Sequence, residues 1–237
     1  MATLEATRQP TATRPLLGAL TWFVAVWGLV LAASWSSLTA YGFKHDVLDD
    51  AAPTNWPADS RISRAVDRRL LLVFLHPRCP CSHATVSELE RVLRMPDKHA
   101  DRGPDVAIVA CMPRSTGESW TRTPLIQRAA QLPRASVYLD GGGVEAARFA
   151  ATTSGQVVLI GASGQRLYAG GVTKSRGHVG GNAGADAVAR LLRDELLRDE
   201  PKAGAVLPAL GCRLVRDGGH ESSGCGESSP SWEGIKS

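Results

Sequence analysis

The stretch that decides the fold is Arg69 to Leu89, with the sequence RLLLVFLHPRCPCSHATVSEL. Its first seven residues are almost all apolar, which is typical of a short central strand that is buried on both faces. A turn containing Cys79, Pro80 and Cys81 follows, and Ser82 is a suitable N-cap for the apolar residues that then recur at helical spacing. The stretch therefore predicts a buried strand that leads through a cysteine-containing turn into a helix.

Strands and helices continue to alternate along the chain, which is typical of the α/β class. Gly164 lies between the last two predicted strands and indicates a hairpin. The predicted strands are Val106 to Cys111, Ser136 to Leu139, Gln156 to Ile160 and Gln165 to Ala169. The predicted helices begin at Thr123 and Pro124, at Val144 and at Ala185.

An apolar segment near the N-terminus predicts a membrane anchor. No residue from Pro15 to Phe43 carries a formal charge, and about 20 helical residues at ~1.5 Å each cross the ~30 Å hydrocarbon layer. Arg8 and Arg14 precede the segment and an acidic stretch follows it, so we expect the N-terminus inside the cell. A cleaved signal peptide is the alternative, because Ala32-Ala33-Ser34 offers a small-residue site. Both interpretations place the rest of the chain where thiols are readily oxidised.

Composition indicates one folded domain beside this segment, because 237 residues with 43% hydrophobic content provide one ordinary core. We predict a cytoplasmic N-terminus over 1–14, a transmembrane anchor over 15–40, a linker over 41–60, a domain over 61–200 and a flexible tail over 201–237. The tail is rich in Gly, Ser and Pro and lacks periodicity. The net charge of +4 comes from scattered arginines, so we predict no nucleic-acid partner.

The paired cysteines carry the strongest chemical signal. A helix N-terminus lowers a cysteine pKa and so favours the nucleophilic thiolate, which makes Cys79 the candidate nucleophile and Cys81 a candidate resolving thiol. The alternative is a static bridge or two inert thiols. Cys111 ends an apolar strand and is predicted to be a core residue. Cys212 and Cys225 in the tail either bridge each other or reach Cys79 as resolving partners; the sequence leaves both open.

These residues resemble the thioredoxin-like superfamily, in the membrane-anchored subgroup typified by TlpA and ResA or in the bacterial RedB type. The resemblance covers Arg69 to Asp199 and includes the run FAATTSGQVVLIGASGQ from Phe149 to Gln165. It implies a central mixed sheet flanked by helices, on the periplasmic or extracytoplasmic side of a bacterial inner membrane. It also implies a single-pass anchor and protein disulfide or thiol substrates.

The same ungapped comparison shows two departures from the family pattern. Ser82 stands where the family has its resolving cysteine, and Cys81 falls between the two family positions. Gly155 stands where the family normally has a cis-proline, so we expect the substrate-presenting loop to be built differently.

Two further candidates, Arg176 and His178, lie in the glycine-rich loop after the final hairpin. In a thioredoxin-like fold this loop lies beside the cysteine turn, where either residue can stabilise a thiolate or His178 can bind a metal. A solvated arginine and a hydrogen-bonded histidine are the alternative interpretation.

The leading hypothesis is a thiol-disulfide redox protein without a cofactor, with Cys79, Cys81, Arg176 and His178 at its site. A peroxiredoxin-like peroxidase is an alternative, although the proline and threonine that closely precede a peroxidatic cysteine are absent. Another is a Cu(I) site made by Cys79, Cys81 and either His178 or His76, as in SCO-type metallochaperones. A tethered domain with no catalysis is the last.

Overall fold

The computed structural model of the chain describes residues 14–43, 52–94, 103–114, 118–193 and 205–214. The chain divides into two compact units, Met1–Lys44 and His45–Ser237. In the first unit, helix α1 spans Arg14–Phe43. The part of α1 from Gly18 to Ala40 has 23 residues, and it is long and apolar enough to cross a membrane. A signal sequence near the N-terminus meets the same criterion.

The second unit contains the predicted alternation of strands and helices, and the predicted order is confirmed through the last helix. The strands are β1 (Leu70–Leu75), β2 (Asp105–Met112), β3 (Ala135–Gly141), β4 (Gln156–Ile160), β5 (Arg166–Gly171) and β6 (Ala205–Val206). The helices are α2 (Ser82–Leu93), α3 (Pro124–Ala129), α4 (Val144–Arg148) and α5 (Ala183–Arg193).

Within the described residues, six strands form one mixed sheet in the order β3-β2-β1-β4-β5-β6. Strand β1 pairs in parallel with β2 and antiparallel with β4, and β4 forms an antiparallel hairpin with β5. All six residues of β1 are buried, because helices or loops cover both faces of the sheet. The predicted central strand and the predicted mixed sheet are therefore confirmed.

Alternate residues of β1 belong to two separate cores, one on each face of the sheet. Leu71, Val73 and Leu75 pack with apolar residues of α2, α3 and α5. Leu70, Leu72 and Phe74 pack instead with Ala146 of α4 and with Phe149. Because burying one such side chain contributes about 1.5–3 kcal/mol, β1 anchors the turn that follows it to both cores.

Part of the predicted linker over 41–60 is packed against the domain. Asn55 forms an isolated β-bridge with Gln165, and the Ser60 hydroxyl donates to the buried Glu145 carboxylate at 2.8 Å. Ala52 is itself buried. The packed part therefore begins earlier than the sequence predicts, because backbone pairing and one buried carboxylate hold residues that carry no apolar periodicity. Residues 44–51 lie outside the described residues.

Residues 205–214, called here the C-terminal segment, are also packed, although the sequence predicts a flexible tail from residue 201. Strand β6 pairs in parallel with β5, and the Gly171 N–H donates to the Pro208 carbonyl at 3.3 Å. A Cβ added to Gly211 would lie 2.0 Å from the Ser154 carbonyl oxygen. Backbone contacts hold the segment, and the missing side chain of Gly211 permits its close approach to Ser154. Backbone contacts do not require a particular pattern of side chains, so the sequence does not predict them. Residues 201–204 and 215–237, including Cys225, lie outside the described residues.

Candidate active site at Cys79, Cys81 and Cys212

The turn between β1 and α2 places the two paired cysteines at the start of the helix. The Cys79 N–H donates to the His76 carbonyl at 3.0 Å, and the Ser82 N–H donates to the Cys79 carbonyl at 3.3 Å. Cys81 is the N-cap of α2, with φ −64° and ψ −28° and no side-chain cap hydrogen bond. The prediction of Ser82 as N-cap was wrong, because the helical backbone already includes Cys81 and the Ser82 hydroxyl bonds elsewhere.

Three cysteine sulfurs meet at this turn. The Sγ atoms of Cys79, Cys81 and Cys212 all lie within 4.8 Å of one another. Cys79 is 1% exposed, Cys212 is 5% exposed and Cys81 is half-buried. None of these three cysteines forms a disulfide in the structure. The C-terminal segment thus brings Cys212 to Cys79, whereas Cys111 is fully buried in the core, as predicted.

The surroundings of Cys79 strongly favour its thiolate. The Cys212 thiol donates to the Cys79 sulfur, and further hydrogen bonds come from the Ser82 hydroxyl and from the backbone of Cys212 and Ser82. Burial opposes them, but together these donors lower the pKa of Cys79 to about 4. Cys79 is therefore an anion at neutral pH, although it is almost completely covered.

The Ser82 hydroxyl lies in a buried chain of hydrogen bonds beside this thiolate. Its Oγ is 2.7 Å from Ser154 Oγ, and Ser154 Oγ accepts from the His76 N–H at 2.7 Å. Ser82 and Ser154 are both 1% exposed. Ser154 was not predicted as a site residue, because a serine in a loop gives no signal in the sequence of what it contacts.

We expect Ser82→Ala to raise the pKa of Cys79 from about 4 to about 5 or 6, because a hydrogen bond to a charged group contributes ~1.5–3 kcal/mol and ~1.4 kcal/mol corresponds to one pKa unit. The pH dependence of thiolate absorbance in the ultraviolet measures this. Ser87→Ala, in the same helix, is the matched control and leaves the pKa of Cys79 in place. An unchanged pKa in Ser82→Ala would show that Ser82 does not stabilise the thiolate.

The loop at Gly155 lies against the helix start. Gly155 has φ +92°, and an added Cβ would lie 2.5 Å from Thr85 Oγ1. Only glycine adopts this left-handed conformation without strain and without a clash with α2. The Ser154 N–H, immediately before it, donates to the Cys212 carbonyl at 2.7 Å. The loop thus connects the helix start to the C-terminal segment.

The loop that contains Arg176 and His178 lies beside Cys81. A Cβ added to Gly177 would lie 3.8 Å from the Cys81 Cα. The loop is tied to α2 by Gly180, whose N–H donates to the buried Glu88 carboxylate at 2.5 Å. Arg176 is half-buried and His178 is exposed. His178 Nδ1 lies 2.8 Å from the Arg176 carbonyl oxygen. The roles predicted for both side chains stay predictions.

His76 lies at the turn but does not belong to the group formed by Cys79, Cys81 and Cys212. Its ring packs edge-on against Trp120 at 5.4 Å, and the Arg78 guanidinium lies over the same indole at 4.1 Å. Burial lowers the pKa of His76, while the charge of Cys79 raises it less. His76 is therefore neutral at pH 7. In the described part of the chain, the group of side chains able to hold a metal comprises Cys79, Cys81 and Cys212.

The strand, cysteine turn and helix, together with the mixed sheet and its hairpin, define a thioredoxin-like fold. The predicted superfamily resemblance is therefore confirmed at the level of the fold.

The chain is similar to solved structures of proteins from several bacteria. A hypothetical protein SMc02350 from Sinorhizobium meliloti 1021 matches with a TM-score of 0.53 and 15% identity, over 73% of this chain and 100% of that chain. An uncharacterized conserved protein from Geobacillus kaustophilus matches with a TM-score of 0.50 and 17% identity, over 74% of this chain and 93% of that chain. A secreted Mycobacterium tuberculosis disulfide oxidoreductase matches with a TM-score of 0.35 and 15% identity, over 52% and 78% of the two chains. No family model and no curated protein matches the sequence.

Proposed function

We propose that this chain is a membrane-anchored thiol-disulfide redox protein that acts on protein thiols or disulfides on the extracytoplasmic side of a bacterial inner membrane. The observation that carries the proposal is the Cys79 sulfur, a buried group held as a thiolate with two other thiols within 4.8 Å. A sulfur in this state both attacks disulfides and leaves readily from them. The apolar helix α1 supports the anchor.

The chemistry needs only the chain's own sulfurs and a client. The Cys79 thiolate attacks one sulfur of a client disulfide, the client S–S bond breaks, and a mixed disulfide forms while the other client sulfur leaves as a thiolate. A second thiol of this chain then attacks the Cys79 sulfur, releases the client as a thiol and leaves an internal disulfide. The reverse sequence oxidises a client dithiol and returns Cys79 to the thiolate.

Arg176 belongs to this proposal as a positioning residue. Arg176 is half-buried in the loop beside Cys81. A positive charge near the three cysteine sulfurs favours the thiolate over the thiol. His178 belongs to the same loop but is exposed. Its proposed role is therefore contact with a client that reaches the half-buried Cys81. The relation to the TlpA, ResA and RedB group is part of the same proposal.

Trapping of a mixed disulfide tests the function. We expect the full chain carrying Cys81→Ser and Cys212→Ser to form a stable adduct on Cys79 when it is mixed with oxidised glutathione, because both neighbouring thiols that could release it are absent. Peptide mass mapping after acid quenching and alkylation identifies the modified cysteine. Cys111, a buried thiol, is the internal control and stays unmodified. The proposal fails if Cys79 carries no adduct.

A second candidate function is Cu(I) binding, which the three sulfurs favour. Soft thiolates select Cu(I), and three sulfurs within 4.8 Å match a trigonal site. Cys212 supplies the third sulfur, so the ligand set differs from the predicted Cys79, Cys81 and histidine. Metal analysis of protein purified without oxygen distinguishes this candidate from the redox function.

A further inference from the structure

The C-terminal segment lies along the loop that precedes β4 as an added extended strand. Thr153 and Arg213 form an antiparallel bridge. The Ser154 N–H donates to the Cys212 carbonyl at 2.7 Å, and the Leu214 N–H donates to the Thr152 carbonyl at 2.8 Å. Main-chain pairing of this kind is how an extended peptide binds an exposed edge. The C-terminal segment therefore binds the loop before β4 in the way that an extended peptide binds a strand edge.

This docking sets the position of one side chain relative to Cys79. The Cys212 carbonyl accepts one of the backbone hydrogen bonds that hold the segment, from the Ser154 N–H, and the Cys212 thiol and backbone both hydrogen-bond to the Cys79 sulfur. Leu214 is buried beyond it at 7% exposure and fixes the far end of the segment. The Cys212 sulfur is thus aimed at Cys79 by the backbone rather than by a flexible side chain alone.

The short chain separation makes Cys81 a less suitable disulfide partner for Cys79. The sulfurs of Cys81 and Cys212 both lie within 4.8 Å of the Cys79 sulfur, so distance alone does not choose between them. A disulfide requires a specific geometry, and deviations from it are strained. Pro80 is the only residue between Cys79 and Cys81, so their disulfide would close a small, strained ring, whereas Cys212 comes from a separate segment and closes no such ring.

We infer that Cys212 is the resolving cysteine of the site and that the Cys79–Cys212 disulfide is the oxidised form of the protein. The inference rests on the proposed function and assigns the partner that the sequence left open. The Cys212 thiol gives up its proton and attacks the Cys79 sulfur of a mixed disulfide. The bond from Cys79 to the client breaks, the client sulfur leaves and takes up the proton, and the new bond joins Cys79 to Cys212. A dithiol reductant returns the pair to thiols.

The same segment also controls access to Cys79. Because Cys79 is 1% exposed and in contact with Cys212, a client disulfide reaches it only when the segment lifts. Segments held by a few backbone hydrogen bonds open locally at low cost. When the segment docks again, it brings Cys212 to the mixed disulfide. Lifting of the segment thus admits the client, and docking of the segment releases it.

Single variants of the full chain in a Cys225→Ser background test the assignment with oxidised glutathione as the probe. We expect mass mapping to find the Cys79–Cys212 disulfide in this background and in Cys81→Ser. In Cys212→Ser the glutathione adduct on Cys79 should persist about 10²-fold longer or more, because a positioned intramolecular thiol has a very high effective concentration. A Cys79–Cys81 disulfide in the background protein, or normal clearance in Cys212→Ser, would overturn the inference.

A second variant leaves every sulfur in place. Gly211→Ala forces the segment away, because the added Cβ would lie 2.0 Å from the Ser154 carbonyl oxygen. The adduct on Cys79 should form faster than in the background protein and be resolved more slowly. Gly181→Ala, where an added Cβ meets nothing within 4 Å, is the matched control with background rates. Unchanged rates in Gly211→Ala would overturn the role of the segment, whereas absence of any adduct in the Cys81→Ser and Cys212→Ser double variant would overturn the proposed function itself.

Discussion

The disulfide formed by Cys79 is expected to be strongly oxidising, with a reduction potential on the order of 100 mV above that of a disulfide between two ordinary thiols at pH 7. The reason is the pKa of about 4 at Cys79, which stabilises the reduced form. An ordinary cysteine has a pKa of about 8.5, so at pH 7 the difference corresponds to roughly 4 kcal/mol, and for a two-electron couple 30 mV corresponds to about 1.4 kcal/mol. The pair is therefore expected to accept electrons from client dithiols.

Equilibration of the full chain with glutathione buffers, followed by alkylation and mass analysis, measures this potential. Between pH 5 and 8 the potential should fall by about 30 mV per pH unit, since reduction then takes up one proton for two electrons. Ser82→Ala should lower the potential, while Ser87→Ala keeps it. A slope of about 60 mV per pH unit would mean that both sulfurs take up protons, and the thiolate argument would be wrong.

The fold could be predicted because its decisive features are local. The apolar run of β1 requires burial on two faces, and the turn with Cys79 and Cys81 follows it directly. The Gly164 hairpin is equally visible in the sequence. Each of these features depends on residues that are neighbours in the sequence, so periodicity and turn chemistry were sufficient to predict the order of the elements. Strand β6 was missed because two residues held by backbone pairing carry no periodicity.

The candidate site was predicted in part, and the missing part is long-range. Cys79 and Cys81 were identified from their position before a helix. The sequence did not decide whether Cys212 pairs with Cys225 or with Cys79. The contact that decides it, between Ser154 and the C-terminal segment, is made by backbone atoms of residues far apart in sequence. The buried Glu88, which holds the loop of Arg176 and His178, was missed since a carboxylate on an amphipathic helix is usually exposed.

The stability of the reduced protein should depend on pH through Cys79. The pKa of Cys79 is about 4 in the folded protein and about 8.5 in an unfolded chain. The stabilisation by the thiolate is therefore fully present above about pH 8.5 and decreases as the pH falls toward about 4, by roughly 1.4 kcal/mol per pH unit. Between pH 8 and pH 5 the contribution should fall by up to about 4 kcal/mol.

Denaturant unfolding of the reduced full chain and of Cys79→Ala, at pH 8 and at pH 5, measures this contribution as the difference between the two proteins. Wild type should exceed Cys79→Ala by a few kcal/mol more at pH 8 than at pH 5. Val86→Ala, an apolar truncation in the same helix, should cost the same at both values because no titrating group is removed. If the difference in unfolding free energy between wild type and Cys79→Ala is also the same at pH 8 and pH 5, the buried sulfur is protonated in the folded protein. The oxidising potential would then lose its cause as well, since both effects derive from one stabilised anion.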